Sequence, residues 1–224
     1  MGGAYADNFS SSSQCYSFPT LQYSDSFGAL TPHPCLRLRS RLPDTCTYEQ
    51  AALAEPLSVV LHAARRVGLV ASPAETLLNK TGITSFPPKI RVLVIGTGAV
   101  GFLAAALVRT LSDLGETKAP VTHVAAMDLD SRKLVALRKA GYADSTFTVP
   151  VLPKESPPLT NEENLKRSKE LAYQALDDMA IADKGARAGY DFVFECTGVE
   201  SCIQMAIHVR NFGLSEVPIL TSTM

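Results

Sequence analysis

The stretch that decides the fold runs from Arg91 to Leu111, RVLVIGTGAVG followed by FLAAALVRTL. A β-branched apolar run, a glycine-rich turn and an apolar, alanine-rich run read as strand, turn and helix. In G-x-G-x-x-G the first glycine permits a tight turn, the second lets backbone approach a pyrophosphate, and the third lets helix pack closely on strand. Gly96, Gly98 and Gly101 fill these places. A helix starting near Ala99 points free backbone N–H groups and its positive dipole end toward bound phosphates. The glycine pattern alone is weak; its position between a strong strand and a strong helix gives it weight.

Outward from this turn the alternation continues. VTHVAAMD at 121–128 reads as a buried strand, and SRKLVALRKAG at 131–141 as an amphipathic helix closed by Gly141. A short strand is expected around Ser145–Val149, and then Pro150, Pro153, Pro157 and Pro158 mark a surface loop. NEENLKRSKELAYQALDDMAIAD has the charge pattern of a solvated helix, Tyr190–Cys196 reads as a strand, and Thr197 and Gly198 turn the chain into a helix near Val199–Val209. VPILTS at 217–222 supplies a last strand. Upstream, YEQAALAEPLSVVLHAARRVGL has helical spacing from Tyr48, with Thr47 as N-cap, Gly68 as stop and Pro56 at a helix start or kink. Residues 1 to about 30 are rich in Ser, Gly, Tyr and Asn and show no sustained period, so irregular chain is expected there. The expected fold is α/β, a Rossmann-type doubly wound parallel sheet. The expected division is an irregular segment at 1–46 and a nucleotide-binding domain at 47–224.

Asp128 ends the second strand, where a carboxylate accepts hydrogen bonds from adenosine ribose hydroxyls and repels an additional 2′-phosphate. This favours NAD over NADP. Two features leave the assignment open: Asp128 also reads as a solvent-exposed strand-end acid, and Arg132 and Lys133 are cations able to accommodate a 2′-phosphate. The acid stands further from the glycines than the usual spacing of about 20 residues, because LSDLGETKAP at 111–120 precedes the strand.

Bulk properties narrow the field. In 224 residues, 46% apolar, 21 basic and 22 acidic side chains leave a net charge of −1, so no cationic surface for a nucleic-acid backbone is expected. Cys15, Cys35, Cys46, Cys196 and Cys202 form no C-x-x-C pair and an odd set, which suits a reducing, cytoplasmic setting. No apolar run approaches the roughly 18 residues of a membrane span.

The ordered motifs AALAEPLSVVLHAARRVGL, VLVIGTGAVG, MDLDSRKL and FECTGVESCIQMAI, with HPCLRLRSRLPD upstream, resemble the medium-chain zinc-dependent dehydrogenases, within them the sorbitol, xylitol and arabinitol dehydrogenases. The likeness runs from roughly Thr31 to Gly213. It implies an NAD-linked polyol oxidoreductase in which zinc polarises the substrate oxygen, and a homo-oligomer as in that family. By resemblance Gly96, Gly98, Val100 and Gly101 match the pyrophosphate loop, Asp128 the ribose acid, Lys133 a cation beside the adenosine, and Thr197 the turn lining the cofactor cleft. Glu55 matches the acid of the EPLSV motif near the catalytic zinc; its bland reading is a buried, hydrogen-bonded helix-end acid.

The family's metal site also requires a Cys and a His-Glu pair. This sequence has no G-H-E segment, and Cys15, Cys35 and Cys46 lack neighbouring ligands, so no metal ligand is assigned. The resemblance therefore implies a remnant of the catalytic domain at the N-terminus and a sheet lacking its sixth strand. A non-catalytic NAD-binding module is the alternative reading. A methyltransferase sharing the glycine turn fits less well, because Asp128 and the ECTG turn suit a dinucleotide.

Overall fold

The computed structural model describes residues 42–70, 88–151, 159–182, 184–211 and 219–221. Cys15, Cys35, the SFP part (85–87) of the loop before Lys89, and Pro153, Pro157 and Pro158 lie outside these, as does the segment before Leu42. The chain divides into two compact units, Met1–Ala52 and Leu53–Met224. In the first, helix α1 spans Tyr48–Ala52. Thr47 caps it reciprocally with Gln50: the Gln50 N–H donates to Thr47 Oγ1 at 3.2 Å, and the Thr47 N–H donates to Gln50 Oε1 at 3.0 Å.

The second unit opens with α2 (Ala54–Arg66). The helical spacing that starts at Tyr48 is interrupted at Leu53, and Pro56, which has no N–H to give, falls in the first turn of α2, where none is required. There follow β1 (Ile90–Ile95), α3 (Ala99–Asp113), β2 (Val121–Asp128), α4 (Ser131–Lys139), β3 (Ser145–Thr148), α5 (Asn161–Ala182), a short 3₁₀ turn (Lys184–Ala188), β4 (Phe192–Glu195), α6 (Glu200–Val209) and β5 (Ile219–Thr221). All strand pairs are parallel and the order is β3-β2-β1-β4-β5. Between β1 and β4 the winding reverses, and ligands of open α/β sheets bind outside the strand ends at such a point. The architecture is a Rossmann-type α/β sheet, five-stranded among the described residues.

The central strands are apolar on both faces because both are covered. Val92, Val94, Val124, Ala126, Phe192 and Phe194 pack under α2, α3 and α4. Their neighbours Leu93, Ile95, Ala125, Met127 and Val193 face α5 and α6. The alternation has the period of two that a strand imposes. β4 is shorter than the sequence suggests: Tyr190 forms only an isolated bridge to Arg210, and Cys196 already belongs to the turn.

Candidate functional site

The carboxyl ends of β1, β2 and β4 converge on three turns. Gly96 leaves β1 with φ +87°, a left-handed conformation that an L side chain rarely adopts. Its N–H donates to the Met127 carbonyl at 2.8 Å, continuing the ladder to β2. A Cβ on Gly96 would collide with the Thr197 methyl group, so the β1 and β4 turns are packed together. Gly101 lies in the first turn of α3, against the Gly96 carbonyl. A Cβ there would overlap the Gly96 oxygen, lie 2.9 Å from its carbon and 3.3 Å from Val94 Cγ1. Gly98 differs from both. It is the N-cap of α3, with φ −68° and no side-chain cap, and beyond its chain neighbours and its own helix no atom of the described residues stands within 4 Å of where its Cβ would be. Among the described residues the space at a Gly98 Cβ is thus open, and the N-cap of α3 supplies no side-chain acceptor. Val100 is half-buried against the core below α3.

Asp128 and Glu195, at the ends of β2 and β4, each hold a turn. Thr97 donates to Asp128 Oδ2 from its N–H at 2.6 Å and from its hydroxyl at 2.8 Å, and the Asp130 N–H donates to Asp128 Oδ1 at 2.8 Å. Burial alone would raise the Asp128 carboxyl. The donors from Asp130 and Thr97 and the charge of Lys133 outweigh it and hold the group below its ordinary value. Lys133 itself is exposed on α4.

Glu195 is fully buried. Its Oε1 accepts the Thr197 N–H at 2.8 Å and the Thr197 hydroxyl, and its Oε2 accepts the Gly198 N–H at 3.2 Å. The Thr197 hydroxyl oxygen in turn accepts the Val199 N–H at 3.0 Å. A buried carboxylate is tolerable only when satisfied in this way. Sequence reasoning passed over Glu195; the available signal was an acid closing an otherwise apolar strand, which must find donors. Next to it the Cys196 thiol is pushed up to about 12 by burial and by the Glu195 charge.

Gly96, Asp128 and Thr197 border one cleft of about 690 Å³. Leu129, Val149, Val199 and Met205 give it apolar walls, and α5 contributes Asn164, Arg167 and Ser168. The α5 face turned toward the cleft is the part of this helix that the sequence reading treated as merely solvated. Glu55 is not brought to this cleft: it is exposed in the first turn of α2, where its carbonyl accepts the Ser58 hydroxyl at 2.7 Å. Among the described residues no three His, Cys, Asp or Glu side chains gather as a metal site.

The fold and the turns define a Rossmann-type unit with its cleft at the switch point. No protein-family model matches the chain. Over 173 residues it is 28% identical to D-xylulose reductase of Saccharomyces cerevisiae, covering 77% of this chain and 36% of that protein. Over the same length it is 30% identical to sorbitol dehydrogenase of Ovis aries, again covering 77% of this chain and 36% of the relative. Among solved structures, alcohol dehydrogenase TADH from Thermus sp. ATN1 aligns with a TM-score of 0.49 at 17% identity, over 80% of this chain and 38% of the other. Over the portion it spans, the chain is similar to sorbitol dehydrogenases and a D-xylulose reductase. It spans little more than a third of the length of these curated relatives.

Proposed function

We propose that this chain carries the NAD-binding portion of an oxidoreductase that moves a hydride between a secondary alcohol of a polyol and NAD. The observation that carries the reading is the conjunction of open space over Gly98 at an uncapped helix N-terminus with an ionised carboxylate, Asp128, at the end of the neighbouring strand. The N–H groups at the start of α3 bind the pyrophosphate, and Gly98 lets it approach. Asp128 accepts a ribose hydroxyl and Lys133 stands beside the adenosine. Thr197 fixes the opposite lip, and Val100 seats α3 on the core. Bound NAD supplies the hydride acceptor. The described residues do not assemble a zinc site, so no step is assigned to zinc; Glu55 takes a catalytic role only beside a complete metal site. We place the protein in the cytoplasm, acting on a small polyol and assembling as a homo-oligomer. Among the described residues no helix is long and apolar enough to cross a membrane.

The assembled cofactor turn without a described metal-ligand group favours one further reading, an NAD-binding module that does no chemistry. Formation of NADH from sorbitol or xylitol with added zinc separates the two: turnover selects the enzyme, and NAD binding without turnover selects the module. Binding itself is tested by calorimetry. NAD should bind more tightly than NADP, and Asp128→Ala should weaken NAD by about 1–3 kcal/mol and narrow the gap, because a charge-assisted bond is lost. Equal affinity for the two nucleotides in the parent chain would overturn the assignment.

A further inference from the structure

We propose that Asp130 is a specificity-determining residue: by holding Arg132 in a two-point ion pair, it withholds that guanidinium from a 2′-phosphate and biases the cleft toward NAD. The inference rests on the reading of the cleft as an NAD site and adds the means by which a neighbouring cation is kept out of recognition. The sequence MDLDSRK places two cations, Arg132 and Lys133, immediately after the strand-end acid, and an arginine fork is well suited to a phosphate.

The structure directs one of them elsewhere. Arg132 Nε donates to Asp130 Oδ1 at 3.0 Å, and a terminal nitrogen donates to Oδ2 at 2.9 Å. The Arg132 N–H also donates to Asp130 Oδ1, at 2.9 Å, so the same carboxylate is the N-cap of α4. Through its own N–H, Asp130 is bonded to Asp128 Oδ1. The pair therefore sits directly beside the carboxylate assigned to the ribose.

Arg132 is 89% exposed and Asp130 27% exposed. An exposed pair of this kind adds little to folding. What it fixes is direction: both donor sites facing Asp130 are taken, and the negative charge of Asp130 adds to that of Asp128 against an incoming phosphate. The Arg132 side-chain bonds and its N–H hold the Asp130 carboxyl down to about 2, so it is ionised throughout the neutral range.

Asp130→Asn tests this without removing the cap, because Asn caps helices as well as Asp does. Calorimetric titration of the full chain with NAD and with NADP should show NADP binding about tenfold tighter than in the parent, roughly the effect of 1.4 kcal/mol, with NAD changed less than about threefold. In Asp130→Asn with Arg132→Gln, NADP affinity should fall back to near the parental value. If the single variant leaves the ratio of the two affinities unchanged, the proposal is overturned while NAD binding stands. A gain that survives removal of Arg132 overturns the role of the ion pair and leaves simple charge repulsion. A parent chain that binds neither nucleotide overturns the cofactor reading and this proposal together.

Discussion

Gly101→Ala and Gly98→Val alter the same turn, yet the structure assigns them opposite consequences. At Gly101 the added methyl meets backbone. Its carbon would lie 2.9 Å from the Gly96 carbonyl carbon and inside the contact radius of the oxygen. Relaxed carbon contacts begin near 3.5 Å, so the start of α3 and the β1 turn must separate by at least about 0.6 Å. Neither side is free to give, because the Gly96 N–H is tied to Met127, its position is wedged against Thr197, and α3 is held in the core with Val94 through its buried Ala104, Ala105 and Val108. Overpacking of this type costs about 1–3 kcal/mol, which for a domain of this size corresponds to a loss of roughly 2–12 °C in melting temperature. At Gly98 the backbone lies at φ −68°, open to any residue, and an added Cβ meets nothing within 4 Å among the described residues. Gly98→Val should therefore melt within about 0.5 kcal/mol of the parent, as an unencumbered surface change does, while its branched side chain fills the approach to the pyrophosphate and abolishes NAD binding. Calorimetric melts and NAD titrations on both variants check this. A Gly101→Ala protein melting with the parent would refute the claim that the turn is closed by rigid backbone contact. A Gly98→Val protein that binds NAD within a few-fold of the parent would refute the assignment of the open space.

Two further outcomes follow from the ionisable groups. The Asp128 carboxyl is held below its ordinary value, so its contribution to stability is fully present above the unfolded value of about 3.9 and is lost as pH falls through the lower folded value; Asp128→Asn should flatten the fall in melting temperature below about pH 4, and an unaltered acid profile would show that its bonds to Thr97 and Asp130 add nothing. The Cys196 thiol, pushed up to about 12 by burial and the Glu195 charge, should resist iodoacetamide at pH 8 in the folded chain and react after denaturation, so rapid labelling of Cys196 in the folded protein, read by peptide mass spectrometry, would contradict the structure.

The strands and helices were legible because each is written locally. RVLVI and VTHVAAMD are apolar runs bounded by turn residues, and the charge pattern of 161–183 marks a helix whatever it packs against. The first, second and third glycines were legible for the same reason, since a turn, an approach and a close packing are properties of one short segment. The break at Leu53 was only half legible: Pro56 announced a helix start or kink, but the apolar spacing ran through it. Glu195 and the Thr97–Asp128 bonds were not legible. The Asp128 partner is set by the register of β1 with β2, which brings Gly96 beside Met127, and no local pattern encodes it; Glu195 instead reaches its own turn, at Thr197 and Gly198, and stands out only once its complete burial is known.

That register also bears on Asp128, the acid proposed for the ribose. A carboxylate offers about four lone-pair sites. At Asp128, Oδ2 accepts twice from Thr97, and Oδ1 accepts once from Asp130, which leaves one site, on Oδ1, for a ligand. Asp128 is therefore more than the solvent-exposed strand-end acid of the bland reading: three of its four sites hold the Gly96–Gly98 turn and the entry to α4, and one is not taken by a donor among the described residues. A ligand that needs both ribose hydroxyls bonded to this carboxylate must displace Thr97, whereas one that needs a single bond finds the acceptor already oriented. The carboxylate is held in place before any nucleotide arrives, which lowers the ordering cost of binding, and it is the same set of bonds that keeps Asp130, and through it Arg132, beside the cleft.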